Sequence, residues 1–443
     1  MNFKCLGKVQ GPLACRSFHV GTSGVFFAFA VLTLFFAARP ANAEERVTPY
    51  LPASANVVLQ LVPATTDPRV RQLDRLRADF GQHPNDLKKA VTLAQADIDY
   101  GRATGDARYL GRAMAVIAPF LTQSPPPIPA MLVDATIQQS RHFFRASREE
   151  LLRVLKRDPD NAQALLTLST VAMVQGDHDL ANRLCVQMTN ATGNFMGMIC
   201  TASLRGLSGK NAQAYALLSY VQDPGPKAPP AIKAWIQGLM ADTAARMGKP
   251  DIADTHFKNA LRLMPGDNFL LADYGEFLID QGRAKEAVDL VDGDTQSDTS
   301  FLVLVTAEKA LGSPKAKADI AEMDARFQSM DQRGDHVFLR EEASYMLHVE
   351  RDPKMALDLA KQNWREQRAP KDVRVYLEAA LAANATDAAK PALDFIAKTH
   401  LSDVAIDPLV KQLRAATAVP DPTRKAAANG PPATGLPPSG NSR

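Results

Sequence analysis

The chain has 443 residues, with 51 basic and 48 acidic side chains. Four of the basic residues and none of the acidic ones lie in the first 43 positions, so residues 44–443 carry 47 basic and 48 acidic side chains. This near balance, without a basic patch or tail, argues against a protein that binds nucleic acid or an anionic membrane through its charge.

Residues 1–43 have the features of a secretory signal peptide. Lys4, Lys8 and Arg16 precede an apolar run at residues 25–38, and an Ala-Asn-Ala cleavage signal ends at Ala43. The apolar run is shorter than the roughly 20 residues of a membrane-spanning helix. We therefore expect an exported chain, periplasmic in a Gram-negative cell and otherwise secreted, with no stable membrane span after cleavage. The long leader before the apolar run leaves a mitochondrial presequence as the weaker alternative.

Helical patterning begins soon after this segment. Residues 44–83 form a Pro-rich lead-in followed by a first helix, and residues 84–159 contain degenerate helical pairs. In the first of these pairs, residues 101–105 are predicted to form a lengthened loop. In the second, His142 stands where the later pairs have a glycine.

Residues 160–292 show a clear repeat. Gly176, Gly209, Gly248 and Gly282 follow one another at intervals of 33, 39 and 34 residues, one glycine for each helical pair. Glycine suits the turn after a first helix, because it adopts left-handed backbone angles without strain. A simple helical bundle is the alternative, but a bundle has no reason to keep such a period.

The pattern weakens towards the C terminus. Residues 293–417 are predicted to form divergent helical repeats and a capping helix, which brings the total to eight or nine pairs. Residues 418–443 are rich in Pro, Gly and Ala, and this composition predicts disorder.

The spacing of small and large residues resembles that of the tetratricopeptide repeat family. Two consecutive units carry it most clearly, with Gly248, Ala253 and Phe257 in the first and Gly282 and Ala287 in the second. The resemblance implies an all-α fold, a right-handed superhelical solenoid of helix-turn-helix repeats. It also implies a concave groove, lined by the first helix of each pair, that binds a peptide or protein partner.

Thirteen positions match the groove positions of that family. They are Gln163, Leu166, Thr170, Met173, Met196, Ile199, Ser203, Trp235, Asp242, Arg246, Phe269, Glu276 and Asp280. Met196, Trp235 and Phe269 occupy the same position in three consecutive units, so they are either apolar anchors for a partner or padding between neighbouring helices.

Two further features of the sequence are candidates for chemistry. Cys185 and Cys200 remain after cleavage and lie on consecutive helices, so they either form a disulfide or fill apolar positions as thiols. Glu341, Tyr345 and His348 fall on one predicted face of the helix at residues 336–350, as a weak metal site or, more simply, a solvated charged face. No nucleotide-binding or hydrolase motif is present.

The sequence therefore predicts a non-enzymatic exported scaffold or adaptor, with a possible place in cell-envelope assembly and no cofactor. An accessory subunit that only spaces other components is the first alternative. A metal-dependent enzyme that uses the helix at residues 336–350 is the second. The sequence does not specify the oligomeric state.

Overall fold

A computed structural model describes residues 67–418, apart from residues 224, 226–227 and 335–336. The predicted signal segment with its expected cleavage site at Ala43, most of the lead-in and the predicted C-terminal tail lie outside the described residues. Contacts divide the chain into Met1–Ala64, which is not described, and Thr65–Arg443, which contains every described helix.

The described residues form twenty α-helices and no strand, which confirms the all-α solenoid. The helix bounds are α1 Pro68–Gln82, α2 Leu87–Thr104, α3 Arg108–Leu121, α4 Ile128–Ser140, α5 Phe144–Arg157, α6 Ala162–Val174, α7 His178–Thr192, α8 Asn194–Leu207, α9 Asn211–Val221, α10 Pro230–Arg246, α11 Pro250–Leu263, α12 Asn268–Asp280, α13 Ala284–Val291, α14 Asp298–Leu311, α15 Ala316–Gln332, α16 Leu339–Tyr345, α17 Pro353–Asn363, α18 Pro370–Ala382, α19 Lys390–Thr399 and α20 Asp407–Ala418. A π-helical turn, Met346–Glu350, extends α16, and a 3-10 turn, Thr386–Ala389, precedes α19. Helices α2 to α19 form antiparallel pairs. No described helix is both long and apolar enough to cross a membrane.

Each pair is built by the local signals that the sequence carries. Gly209 ends the first helix of its pair with a φ of 67°, and His142 adopts a φ of 58° at the equivalent position of an earlier pair. A left-handed conformation is uncommon for a residue with a side chain, so the turn at His142 is held by its surroundings. Ala253 and Ala287 are fully buried, where the second helix of a pair lies against its neighbours.

The first pair departs from the prediction. Helix α2 continues through Gly101 to Thr104, so the loop expected at residues 101–105 reduces to the turn at Gly105. A side chain at Gly101 would contact Cβ of Tyr109 at 2.9 Å. Gly101 therefore allows α2 and α3 to pack closely, and it does not mark a turn.

The helical path returns onto itself. Arg368, between α17 and α18, donates its backbone N–H to the carbonyl of Val174 (2.8 Å) and its guanidinium to the carbonyl of Gln175 (2.5 Å), 193 residues earlier. Asn211 donates its side-chain amide to the carbonyl of Ser402 (2.9 Å), 191 residues later. We call this line of contacts the seam.

The contacts of the seam follow chain order, so successive early pairs meet successive late pairs. The turn at Gly105 lies against Ser297, and the turn at His142 lies against Gln367. At the far end, the carbonyl of Arg246 accepts the backbone N–H of Val404 (3.2 Å). The ends of the early pairs therefore rest on the loops of the late pairs, and the two rows are held in register.

Candidate functional site

The first helices of the pairs lie on the inside of the stack. Helix α4 contacts α6, α6 contacts α8, α8 contacts α10, and α12 contacts α14 directly. We call the side of these helices that carries the predicted groove positions the inner face. Most of the predicted partner-binding residues can be located on it, with different outcomes along its length.

Two of the predicted residues belong to the core. Ile199 is fully buried and packs with Leu218 and Ile236, and Met173 is almost fully buried in the neighbouring cluster. Neither side chain therefore offers accessible surface to a partner. The reason is rotation about the helix axis, since a position three residues from a groove residue turns partly towards the second helix of its own pair.

Two hydroxyl groups on the inner face are used within their own helices. Thr170 donates to the carbonyl of Leu166, and Ser203 donates to the carbonyl of Ile199, both at 3.0 Å. Such bonds to the preceding turn leave the hydroxyl only its acceptor capacity for a partner. Gln163 is exposed at the start of α6, and its amide donates to Thr167.

The apolar row is the most open part of the inner face. Met196 and Trp235 are half-buried against the core between α8 and α10, whereas Phe269 is 58% exposed. Met196 and Trp235 thus pack between neighbouring helices, whereas Phe269 presents free apolar surface. Leu166 of α6 is also half-buried and lies before this row in chain order.

The next part of the inner face is occupied by the chain itself. The ammonium of Lys371, on α18, lies 2.6 Å from a carboxylate oxygen of Asp273 and 2.6 Å from one of Glu276, both on α12. Arg340 of α16 reaches Glu276 at 3.3 Å. Arg374 of α18 donates two hydrogen bonds to Asp280, at 2.5 and 2.9 Å. These six charged residues form what we call the axial ion cluster.

The pKa values in the cluster show how strongly its charges interact. Burial alone would raise the pKa of Glu276, but the charges of Lys371 and Arg340 outweigh it and lower the pKa to about 2. Burial would lower the pKa of Lys371, and the charges of Asp273 and Glu276 instead raise it. Both residues therefore stay charged at neutral pH.

The cluster remains accessible to water. The side chains of Asp273, Glu276 and Lys371 keep 47%, 32% and 35% of their surface accessible. The charge of Asp242, on α10, also acts on Asp273 and Lys371. We call the accessible side of these charged residues, on α10, α12 and α18, the hollow.

Asp242 and Arg246 connect the hollow to the seam. They pair on α10 at 2.8 Å, with Arg246 largely buried and Asp242 45% exposed. Arg246 thus contributes its side chain to Asp242 and its backbone carbonyl to the seam, so it is a structural residue more than a surface for a partner.

The residues proposed for metal chemistry do not converge. The hydroxyl of Tyr345 is buried and donates to Asp324 at 2.7 Å, whereas His348 faces Glu378 at 3.3 Å and Glu341 pairs with Arg340. The π-helical turn, Met346–Glu350, changes the register after Tyr345, so His348 does not keep the helical spacing predicted between it and the other two residues. Within the described residues, no group of three His, Cys, Asp or Glu side chains is placed to hold a metal ion.

Cys185 and Cys200 are joined in a disulfide, with Cα atoms 5.4 Å apart. The link connects α7 to α8, two consecutive antiparallel helices of neighbouring pairs. Both residues are almost fully buried. The disulfide therefore joins two repeat units beneath the inner face and close to Met196.

Sequence reasoning missed the basic residues of the axial ion cluster. Lys371 and Arg374 are three residues apart at the start of α18, a spacing that places them on one helix face. Their acidic partners lie 94 to 98 residues earlier in the chain. The spacing could have identified a basic face on α18, but no local signal indicates which helix that face meets.

Comparisons with known proteins give one family match and a set of similar solved structures. Residues 134–182 match the family model of the tetratricopeptide repeat. Similar solved structures include PilW, a widely conserved type IV pilus biogenesis factor, with 17% identity, a TM-score of 0.37 and coverage of 45% of this chain and 94% of PilW. The APC/C hetero-tetramer Cut9-Hcn1 has 11% identity and a TM-score of 0.46, and the match covers 74% of this chain and 63% of the matched chain. The human IFIT1 dimer with PPP-AAAA has 13% identity and a TM-score of 0.41, and the match covers 74% of this chain and 77% of the IFIT1 chain.

A comparison with curated proteins finds no match. The family match extends from α4 into α7, and the same antiparallel pairing of helices continues before and after it. This chain therefore contains a segment, residues 134–182, that matches the tetratricopeptide repeat, within a longer row of similar helical pairs.

Proposed function

We propose that this protein is a non-enzymatic scaffold that binds a segment of a protein partner on the inner face of α6, α8, α10 and the start of α12. The observation that carries the proposal is the row of Met196, Trp235 and Phe269, which ends in a phenylalanine ring that is 58% exposed. Covering an exposed aromatic ring of this kind contributes on the order of 1–2 kcal/mol to binding.

The proposed binding face does not extend over Glu276 and Asp280. Glu276 and Asp280 were expected to meet a partner, but Lys371, Arg340 and Arg374 already hold them. A partner that took their place would have to replace these charge-assisted hydrogen bonds. The proposed face therefore includes Gln163, Leu166, Met196, Trp235 and Phe269.

Site-specific cross-linking tests this proposal. A photo-reactive residue is placed at Phe269 in one variant and at Tyr220 in a control variant. Tyr220 is 78% exposed but lies on α9, the second helix of its pair. We expect a discrete cross-linked partner from position 269 and none from position 220 in the native cell envelope. Cross-links from position 220 alone would favour the spacer function and refute the groove.

Export is a separate part of the proposal and rests on residues 1–43. We propose that the leader is cleaved after Ala43 and that the mature protein acts outside the cytoplasm, in the periplasm of a Gram-negative cell or otherwise as a secreted protein. N-terminal sequencing of the protein from fractionated cells tests this. A cytoplasmic protein that retains Met1 would refute it.

A further inference from the structure

The apolar row and the hollow share two helices. Asp242 lies seven residues after Trp235 on α10, and Asp273 lies four residues after Phe269 on α12. At 3.6 residues per turn, spacings of four and seven place both acids on the same helix faces as the aromatic rings. A segment that covers the rings therefore passes close to these carboxylates.

Carboxylates outnumber cations at this place. Lys371 serves both Asp273 and Glu276, Arg246 serves Asp242, and Arg340 is shared between Glu276 and Glu341. With Arg374 and Asp280, which pair with each other, four cations among the described residues thus face five carboxylates. The two most accessible carboxylates are Asp242 and Asp273, whose side chains are 45% and 47% exposed.

The pKa of Asp273 responds to burial first and to the neighbouring charges second. Burial raises the pKa of this carboxyl group, the ammonium of Lys371 opposes the rise, and the charges of Asp242 and Glu276 add to it. The pairing with Lys371 does not offset burial and the neighbouring negative charges. A further cation beside Asp242 and Asp273 would be bound favourably, and a further anion would be repelled.

We infer that the partner segment is both apolar and basic, with apolar side chains on Trp235 and Phe269 and a lysine or arginine side chain beside Asp242 and Asp273. This inference rests on the proposed function and specifies the partner. The long apolar stem of lysine or arginine can lie along the ring of Phe269 while its charged end reaches into the hollow. An acidic segment of the same shape is excluded by repulsion.

Two fluorescein-labelled peptides test this inference on the mature chain. They have the same apolar residues at the same positions, and one carries lysine where the other carries glutamate. Fluorescence anisotropy measures the two dissociation constants. We expect the lysine peptide to bind about tenfold more tightly, and this advantage to shrink at about 0.5 M salt, since screening weakens the charge interaction.

Variants locate the preference. D242N/D273N keeps the shape of both side chains and should reduce the lysine advantage to less than about threefold. D242N alone is the second variant, because Asp242 is half-exposed and pairs only with Arg246 among the described ion pairs. D289N is the matched control, since Asp289 is an exposed carboxylate on α13 that pairs with Lys285. Circular dichroism confirms that each variant is folded.

The outcomes separate this inference from the proposed function. Equal binding of the two peptides, no binding of the lysine peptide up to about 1 mM, or a lysine advantage that persists in both asparagine variants would overturn the inference. If F269A weakens both peptides while charge has no effect, the binding face stands and the basic partner is refuted. If charge matters but F269A has no effect, the acidic hollow stands and the apolar anchors are refuted.

Discussion

Helices α8, α10 and α12 are equivalent first helices of three successive repeat units, but the inner face of α12 has different neighbours from those of α8 and α10. On α8 and α10, the residues at groove positions pack into the core or remain accessible, as Met196 and Trp235 do. On α12, Glu276 and Asp280 meet basic side chains of α16 and α18. The repeat therefore determines which residues point inward, and the curvature of the stack determines whether they meet solvent or another part of the chain.

This difference depends on the seam, because the seam brings the late pairs back to the early ones. The strongest test of the comparison is to disrupt it at Gly209. Alanine there would adopt a φ of 67°, and its Cβ would collide with the backbone carbonyl oxygen of His400. We expect G209A to lower the free energy of unfolding by about 3–5 kcal/mol, from left-handed strain plus overpacking. Urea unfolding followed by circular dichroism measures it.

Gly282 provides the matched control for this change. Its φ is 71°, but an added Cβ would have no neighbour within 4 Å among the described residues. G282A should cost only the strain, about 1–2 kcal/mol. If the two variants are equally stable, the seam contributes nothing, and the comparison between the two inner faces loses its structural basis.

Reduction of the disulfide acts on the early pairs alone. Cys185 and Cys200 are separated by 15 residues, and opening a loop of that size lowers the free energy of unfolding by about 2–3 kcal/mol. The melting temperature should therefore fall on addition of dithiothreitol. C185A/C200S should already melt at a lower temperature and show no response to the reductant. An unchanged melting temperature in the natural protein would contradict the link.

Removal of Lys371 acts on the inner face of α12 alone. K371A leaves Asp273 without its cation, while Glu276 keeps Arg340. Because these side chains remain about one-third to one-half accessible, solvent screens the loss, and we expect a cost of about 1–2 kcal/mol in denaturant unfolding. K285A removes an exposed pair with Asp289 and should cost less than about 0.5 kcal/mol. Equal effects of the two variants would mean that the axial ion cluster is only a surface network.

The smallest effect concerns pH at His142. Burial lowers the pKa of this imidazole, the charge of Glu341 opposes the shift, and that of Arg340 adds to it. A histidine whose pKa is lower in the folded state contributes stability above the unfolded value of about 6.5. This stability is lost as the pH falls from that value through the lowered pKa of the folded state. We therefore expect acidification from about pH 7.5 to 5.5 to cost H142N less than the natural protein, by under about 1 kcal/mol.

Asparagine is suitable at this position because it tolerates the left-handed backbone. Asp372, whose pKa is raised to about 6 mainly by burial, changes stability in the opposite direction over the same interval. It is present in both proteins, so the difference between them isolates His142. Parallel pH profiles of the two proteins would exclude His142 as a pH-sensitive contact.

The fold could be predicted from the sequence because its signals are local. These signals act within one pair: the turn glycines, the small residues at Ala253 and Ala287, and the apolar spacing. They were sufficient to predict the helical pairs and their order. The change of register at Met346–Glu350 could not be predicted, because a π-helical turn in this sequence has no simple composition signal.

The candidate site was predicted only in part, for a related reason. The positions of Trp235 and Phe269 on the inner face follow from periodicity within one helix. The occupation of Glu276 and Asp280 follows from contacts with residues that lie 64 to 95 positions away along the chain. A pattern inside a single repeat does not indicate which distant residues of the same chain will contact it.

The seam also has a consequence for how the molecule assembles. An array whose units contact only their neighbours can fold from any point and can lose an end with little effect on the remainder. Here Gln175 and Asn211 find their bonding partners only after Arg368 and Ser402 have been synthesised. Such distant contacts slow folding and make it all-or-none. We therefore expect the early units to remain incompletely stabilised until the last part of the chain is synthesised and forms the seam.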